Sequence, residues 1–280
     1  MALVINTNIA SLVAQRNLAV NNSALSKSVQ RLSSGLRINS AADDAAGLSI
    51  SEKLTAQIRS IAVAVRNSQD GVSLSQVAEG GLTEIGSILT RMRELAEQSS
   101  NGTLGTSERS ALDNEYSQLI SEIDRISNVT EFNGIKLLDG SQSSTGVTLQ
   151  VGFQNTANDR INFFSGVAAT DTANLGITGA FATISSAGNA QSALTQIDAA
   201  ISTVALRRGT LGAIQNRLDS TVSNLRVASE NLTAANSRIR DADFAYETAQ
   251  FTKNQILVQA ATSILAQANV LPQNALQLLR

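Results

Sequence analysis

Apolar residues recur along most of the chain at alternating spacings of three and four, the period of helices that bury one face. Within residues 1–36, Ile9, Leu18, Leu25, Val29, Leu32 and Leu36 outline a first helix, and positions 18, 25 and 32 fall seven apart as in a coiled-coil seam. The polar stretch 38–44 then breaks the pattern and offers Ser40, Asp43 and Asp44 as helix N-caps. A longer helical pattern follows over about 44–99, carried by Leu54, Ile58, Ile61, Val65, Val72, Ile85, Ile88, Met92 and Leu95 through a few interior glycines. Asn101 and Gly102 open a turn, after which Leu112, Tyr116, Leu119, Ile123 and Ile126 predict a helix folding back over 107–127.

The period then changes. Val147, Leu149, Val151 and Phe153 alternate with polar residues, as do Ile161 and Phe163, which predicts two short strands joined as a hairpin. Residues 165–190, rich in Gly, Ala, Ser and Thr, read as loop or weakly structured surface. Leu194, Ile197, Ile201, Val204, Leu211, Leu218, Leu225, Leu232 and Ile239 resume the longest heptad-like register in the chain. The acidic break around Asp241 and Asp243 precedes a last helix with Phe251, Leu257, Ile264 and Leu271, expected to end at Pro272.

The predicted fold is mainly α: an elongated antiparallel helical rod or coiled coil with a small β-hairpin region in its middle. A continuous helix over 44–99 would reach roughly 80 Å, against a diameter near ~50 Å for a compact globule of this length. The amphipathic helix at each end lacks enough partners within one chain to cover its apolar face, so further copies of the chain are the simplest source of cover.

Composition narrows the chemistry. The 280 residues include no His, no Cys and no Trp, one Pro, and 3% aromatics. A Ser-His triad, a thiolate nucleophile, a structural zinc site and a disulfide framework are thereby excluded, and no catalytic, metal-binding or cofactor-binding set is assigned. With few aromatics, Ala, Leu, Ile and Val must build the core, a mix suited to close helix packing. Net charge is −2 with both signs interspersed, which gives no electrostatic case for nucleic acid. Uninterrupted apolar runs fall far short of the roughly 20 residues that span a bilayer, so no membrane insertion is expected. The start MALVINTN lacks the basic region and apolar core of a secretory signal, so the chain is expected either to be cytoplasmic or to leave by a route that needs no cleaved signal.

Several motifs carry a family resemblance. VINTN (4–8), RLSSGLRINSAADDAAG (31–47), RNSQDG (66–71), RELA (93–96), FNGIKLL (132–138), SRIRDADFA (237–245) and QANVLPQNALQLLR (267–280) closely resemble bacterial flagellin. The match covers about 1–140 and 190–280 in the right order, and the short middle resembles a flagellin reduced to its core domains. Arg240, where the family commonly has an acidic residue, and Phe244, where Tyr is common, are small departures.

The resemblance implies a structural, non-enzymatic subunit of the extracellular flagellar filament, exported unfolded through the flagellar type III apparatus. Its implied division is 1–40 and 241–280 as the two parts of an inner coiled-coil domain, 41–140 and 190–240 as the two parts of an outer rod, and 141–189 as hairpin and surface segment. Implied partners are other copies of the chain, a filament cap protein, hook-associated junction proteins and an export chaperone at the C-terminal segment. An alternative within the class is a hook-filament junction protein, which shares the terminal helices. A metallopeptidase carried by some flagellins is excluded by the absence of histidine.

Ile9, Leu18, Leu25, Leu32, Leu257, Ile264, Leu271 and Leu278 are the expected subunit-interface residues. Asp43, Asp44, Asp241 and Asp243 are expected to cap helices at the two junctions rather than to bind metal. Similarity to flagellins bound by a Toll-like surface receptor of animal hosts implies contacts at Arg91, Leu95 and Glu115, on what is physically an exposed helical face.

Overall fold

The computed structural model describes residues 7–164 and 169–277, with 271–277 described by their backbone alone. Five helices dominate: α1 (Ile9–Ser34), α2 (Ala45–Ser100), α3 (Thr106–Val129), α4 (Ala187–Arg240) and α5 (Phe244–Gln277). Between α3 and α4 lie two antiparallel strand pairs, β1 (Glu131–Phe132) with β2 (Ile135–Lys136) and β3 (Val147–Gln150) with β4 (Arg160–Phe163). The chain divides into two compact units, residues 59–229 and the combination of 1–58 with 230–280. Helices α2 and α4 each contribute to both.

In the 59–229 unit, the three-four spacing of α2 delivers Leu74, Ala78, Leu82, Ile85, Leu89, Met92 and Leu95 to one buried cluster. Tyr116 and Ile123 of α3 join them, as do Ala193, Ile197, Ala200, Val204, Leu211 and Leu218 of α4. Small residues at alternate positions let the helices approach closely, which offsets the scarcity of aromatics. Gly71 and Gly81 show why α2 tolerates glycine: a Cβ at Gly71 would overlap Leu149 of β3, and one at Gly81 would lie 2.8 Å from a Leu138 methyl.

The β1–β2 turn uses Asn133 and Gly134 at φ 51° and 78°, the left-handed pair that a two-residue hairpin demands. In the second hairpin Leu149 opposes Ile161 and Val147 opposes Phe163, so the alternating apolar residues share the face turned to the core. The ladder stops at Gln150, although the N–H groups of Val151 and Gly152 both still donate to the Asp159 carbonyl. Phe153 is therefore a loop residue, 37% exposed, and not part of a strand.

Two further expectations are corrected. Within 165–190, the described residues 169–186 are not loose surface: Leu175, Ile177 and Ile184 are buried. Their irregular spacing hides them from periodicity, and polar side chains of the helices fix the loop instead. Asp124 Oδ1 accepts from Thr172 N and Oγ1, both at 2.8 Å, and Asp113 Oδ1 accepts from Ile184 N at 2.6 Å. Tyr116 donates its hydroxyl to Phe181 O at 2.9 Å, and burial holds that phenol well above its ordinary pKa, with Asp113 adding to the shift. Arg207, half-buried, donates to Ala169 O and Thr170 Oγ1, and burial lowers its pKa.

The second correction concerns Pro272, which does not end the last helix; α5 continues through it to Gln277. A proline inside a helix removes one N–H donor. The bond lost is the one that residue 272 would give to Ala268 O, and that carbonyl has another donor, described below.

Candidate assembly surface

Helices α1 and α5 pack antiparallel. Asn8 Nδ2 donates to Ala268 O at 2.8 Å, Ser11 Oγ donates to Asn269 Oδ1 at 2.8 Å, and Arg31 Nη1 lies 3.5 Å from Glu247 Oε2. With the register these contacts set, the inward heptad positions of α1 (Ser11, Ala14, Leu18, Asn21, Leu25, Ser28, Leu32) run against Ala268, Leu265, Ala261, Val258, Asn254, Phe251 and Glu247 of α5. Large residues meet small ones along most of the seam. The fully buried positions on α1 are Ser11, Ala14 and Ser28, so the two backbones lie close together.

Local signals in the sequence fix both ends of α1. Asn8 caps it by accepting from Ser11 N at 3.0 Å, and Gly35 closes it at φ 70° with its N–H on Arg31 O. Beyond Gly35 the two breaks in the helical pattern meet. Leu36 and Asp241 form an antiparallel bridge, Arg37 N donates to Arg240 O at 2.7 Å, and Ala242 N donates to Gly35 O at 3.0 Å.

The four junction aspartates have different tasks. Asp44 Oδ1 accepts from Gly47 N at 2.8 Å and caps α2; Asp243 Oδ1 accepts from Ala245 N and Tyr246 N and caps α5. Asp43 instead accepts from the N–H groups of Asn39 and Ser40 and pairs with Lys27. Asp241 contributes through its backbone bridge to Leu36.

Burial sorts the expected interface residues into two groups. Leu18, Leu25 and Leu32 are half-buried against α5 of the same chain, whereas Ile9, Leu257 and Ile264 face outward, at 67%, 39% and 60% exposure. Leu278 lies outside the described residues, as does the side chain of Leu271. A single heptad line misses Leu12, Val13, Val20 and Val29 of α1 and Phe244, Tyr246, Ile256 and Val270 of α5, all exposed. Their signal was present: Leu12, Val13, Val20, Val29 and Tyr246 flank seam positions by one and Phe244, Ile256 and Val270 lie farther round, which widens the apolar face beyond what one helix partner covers.

In the other unit, Arg91 is held between two acids, with Nε 2.9 Å from Glu115 Oε1 and Nη1 2.9 Å from Glu94 Oε2. Arg93 makes a 2.7 Å pair with Asp198. Glu94 and then Glu115 raise the Arg91 pKa further. Arg91 and Glu115 are exposed together on α2 and α3, but Leu95 is 1% exposed and belongs to the core. Among the described residues no helix is long and apolar enough to cross a membrane.

Residues 5–143 match the family model of the bacterial flagellin N-terminal helical region, and residues 194–279 match that of the C-terminal helical region. The chain belongs to the bacterial flagellin family. It is 50% identical to a flagellin of Halalkalibacterium halodurans over 286 aligned residues, covering 99% of this chain and 100% of that one. With a Bacillus subtilis flagellin it shares 47% identity over 306 aligned residues and 99% of both chains. A solved structure described as a flagellar hook-associated protein from Vibrio parahaemolyticus matches 71% of this chain and 98% of its own with a TM-score of 0.56. At 14% identity that likeness is one of fold alone.

Flagellins are structural proteins, so this chain is not an enzyme; it is a structural subunit of the bacterial flagellar filament that self-polymerises. The junction-protein alternative is not favoured, since the full-length, high-identity relatives are flagellins.

Proposed function

We propose that the paired helices α1 and α5 form the assembly face of the subunit, with Ile9, Leu257 and Ile264 at its centre and the free edges of Leu18, Leu25 and Leu32 completing it. Leu271 and Leu278 extend the same heptad line along the sequence. One observation carries this reading: a helix pair already packed on itself still turns a broad apolar face outward, including Leu12, Val13, Val20 and Ile256. Residues 1–40 and 241–280 then make the inner coiled-coil part of the filament, 41–140 and 190–240 the outer part, and 141–189 the hairpin and surface segment.

The test is polymerisation of Ile264→Asp. Filaments should fail to seed while the helical circular dichroism of the chain is retained. Filaments of ordinary length from this variant would refute the assignment.

Family resemblance supports export as an unfolded chain through the type III apparatus, delivery outside the cell beneath a cap protein, contact with hook-associated junction proteins, and chaperoning at the C-terminal segment. It also supports recognition by a host Toll-like receptor. The exposed Arg91–Glu115 pair suits such a contact, with Leu95 acting from beneath as a packing residue.

A further inference from the structure

The seam between α1 and α5 buries few branched aliphatics. Ser11, Asn21, Ser28 and Asn254 occupy inward positions where a coiled coil ordinarily holds branched aliphatics. Such a seam gains little from burial, so its ends depend on specific bonds, and a one-heptad slip would move the apolar face of α5 by about 10 Å along α1. At the junction end the Leu36–Asp241 bridge and the Gly35–Ala242 bond pin the pair. The opposite end needs its own pin.

We infer that Asn8 and Pro272 form a clasp that holds the open end of the terminal helix pair in register, and so fixes the composite face used in assembly. This rests on the assembly reading above. The chemistry is complementary. Proline at 272 has no N–H, so it cannot give Ala268 O the bond a helix residue there would supply. Asn8 Nδ2 supplies it from the other helix at 2.8 Å. Ala268 is 6% exposed, which leaves little water to take the donor's place. The same Asn8 side chain accepts from Ser11 N through Oδ1, and Ser11 Oγ donates to Asn269 Oδ1. A single amide thus caps α1 with one end and completes α5 with the other. An ordinary residue at 272 would satisfy Ala268 O within α5, and Asn8 would no longer supply the donor that carbonyl lacks.

The experiment compares wild type, Asn8→Ser, Pro272→Ala and the double variant, in filaments regrown from the purified full-length chain. Serine keeps a capping oxygen but cannot reach Ala268 O. Asn8→Ser should raise the critical concentration for polymerisation about three- to tenfold and speed hydrogen exchange in the first turns of α1. In the Pro272→Ala background, where an N–H returns to residue 272, the same substitution should change neither. An equal penalty for Asn8→Ser in both backgrounds would overturn the clasp, because a capping or packing role does not depend on residue 272. A wild-type chain that forms no filaments would sink the assembly reading instead. The clasp would then be decided by exchange in the soluble chain.

Discussion

Lys27 Nζ lies 2.7 Å from Asp43 Oδ1, so the loop that leaves α1 is tied back onto α1 about two turns before its end. The pairing with Lys27, aided by hydrogen bonds from Ser40 and Asn39, holds the Asp43 carboxyl well below its ordinary value of 3.8. A carboxyl whose folded pKa is depressed contributes stability that is complete above the unfolded value and lost as pH falls through the folded one. Acid dissociation of filaments should therefore begin earlier in Asp43→Asn than in wild type, and the gap should close once the pH is low enough to protonate Asp43 itself. Turbidity during acid titration reads this. A gap that stays constant down to the lowest pH would show that the charge of Asp43 is not involved.

Arg91 and Leu95 stand one helical turn apart on α2 and should respond differently to alanine. Leu95→Ala removes a fully buried side chain from the core cluster that also holds Tyr116, Met92 and Ile197, and should cost about 2–5 kcal/mol of unfolding free energy. Arg91→Ala breaks two exposed ion pairs, to Glu94 and Glu115, and should cost at most about 1 kcal/mol. Urea unfolding separates the two. If receptor signalling is also measured, loss in Arg91→Ala at unchanged stability marks a surface contact, whereas loss in Leu95→Ala with lowered stability marks packing.

Periodicity made the five helices legible because each buries a single stripe, and Ile85, Ile88 and Met92 announce it without reference to any partner. The hairpin was legible for the same reason: Leu149 and Ile161 alternate with polar neighbours. What escaped depends on contacts between distant residues. Leu175, Ile177 and Ile184 share no period and are placed by Asp113, Asp124 and Gln196, whose roles no local window reveals. Pro272 read as a stop because a local rule counts only the donor it lacks, and the donor that replaces it belongs to Asn8 at the other end of the chain. Along the terminal helices, heptads picked out Ile9, Leu257 and Ile264, which are exposed, but could not say that Leu18, Leu25 and Leu32 are half-buried against α5. That division is set by a second helix.

The caps at the junction should be separable from their neighbours. Asp44→Ala and Asp243→Ala each remove the oxygen that satisfies N-terminal amides, of α2 and α5 respectively, and should cost about 0.5–2 kcal/mol. Asp241→Ala keeps the backbone bridge to Leu36 and should be close to neutral. Thermal melting of the three variants checks this ranking. A loss in Asp241→Ala as large as in Asp243→Ala would mean that its side chain has a task the hydrogen-bond pattern does not show.

The loop over 169–186 should loosen when its anchors on α3 are removed. Thr172 is 6% exposed and its N–H and hydroxyl both donate to Asp124, so Asp124→Ala leaves two buried donors without an acceptor. Such a loss costs about 1–3 kcal/mol per group. Because Ile177 N bonds to Thr172 O and Leu175 N bonds to Asp171 O, the loss should spread across the loop and not stay at one amide. Hydrogen exchange should rise throughout 172–177 in Asp124→Ala, while the α2 core amides around Leu89 keep their protection. Asp124→Asn retains a carbonyl acceptor for Thr172 and should exchange nearly as slowly as wild type. Rapid exchange in Asp124→Asn as well would assign the anchoring to the carboxylate charge, and unchanged exchange in Asp124→Ala would mean that burial of Leu175 and Ile177 alone holds the loop.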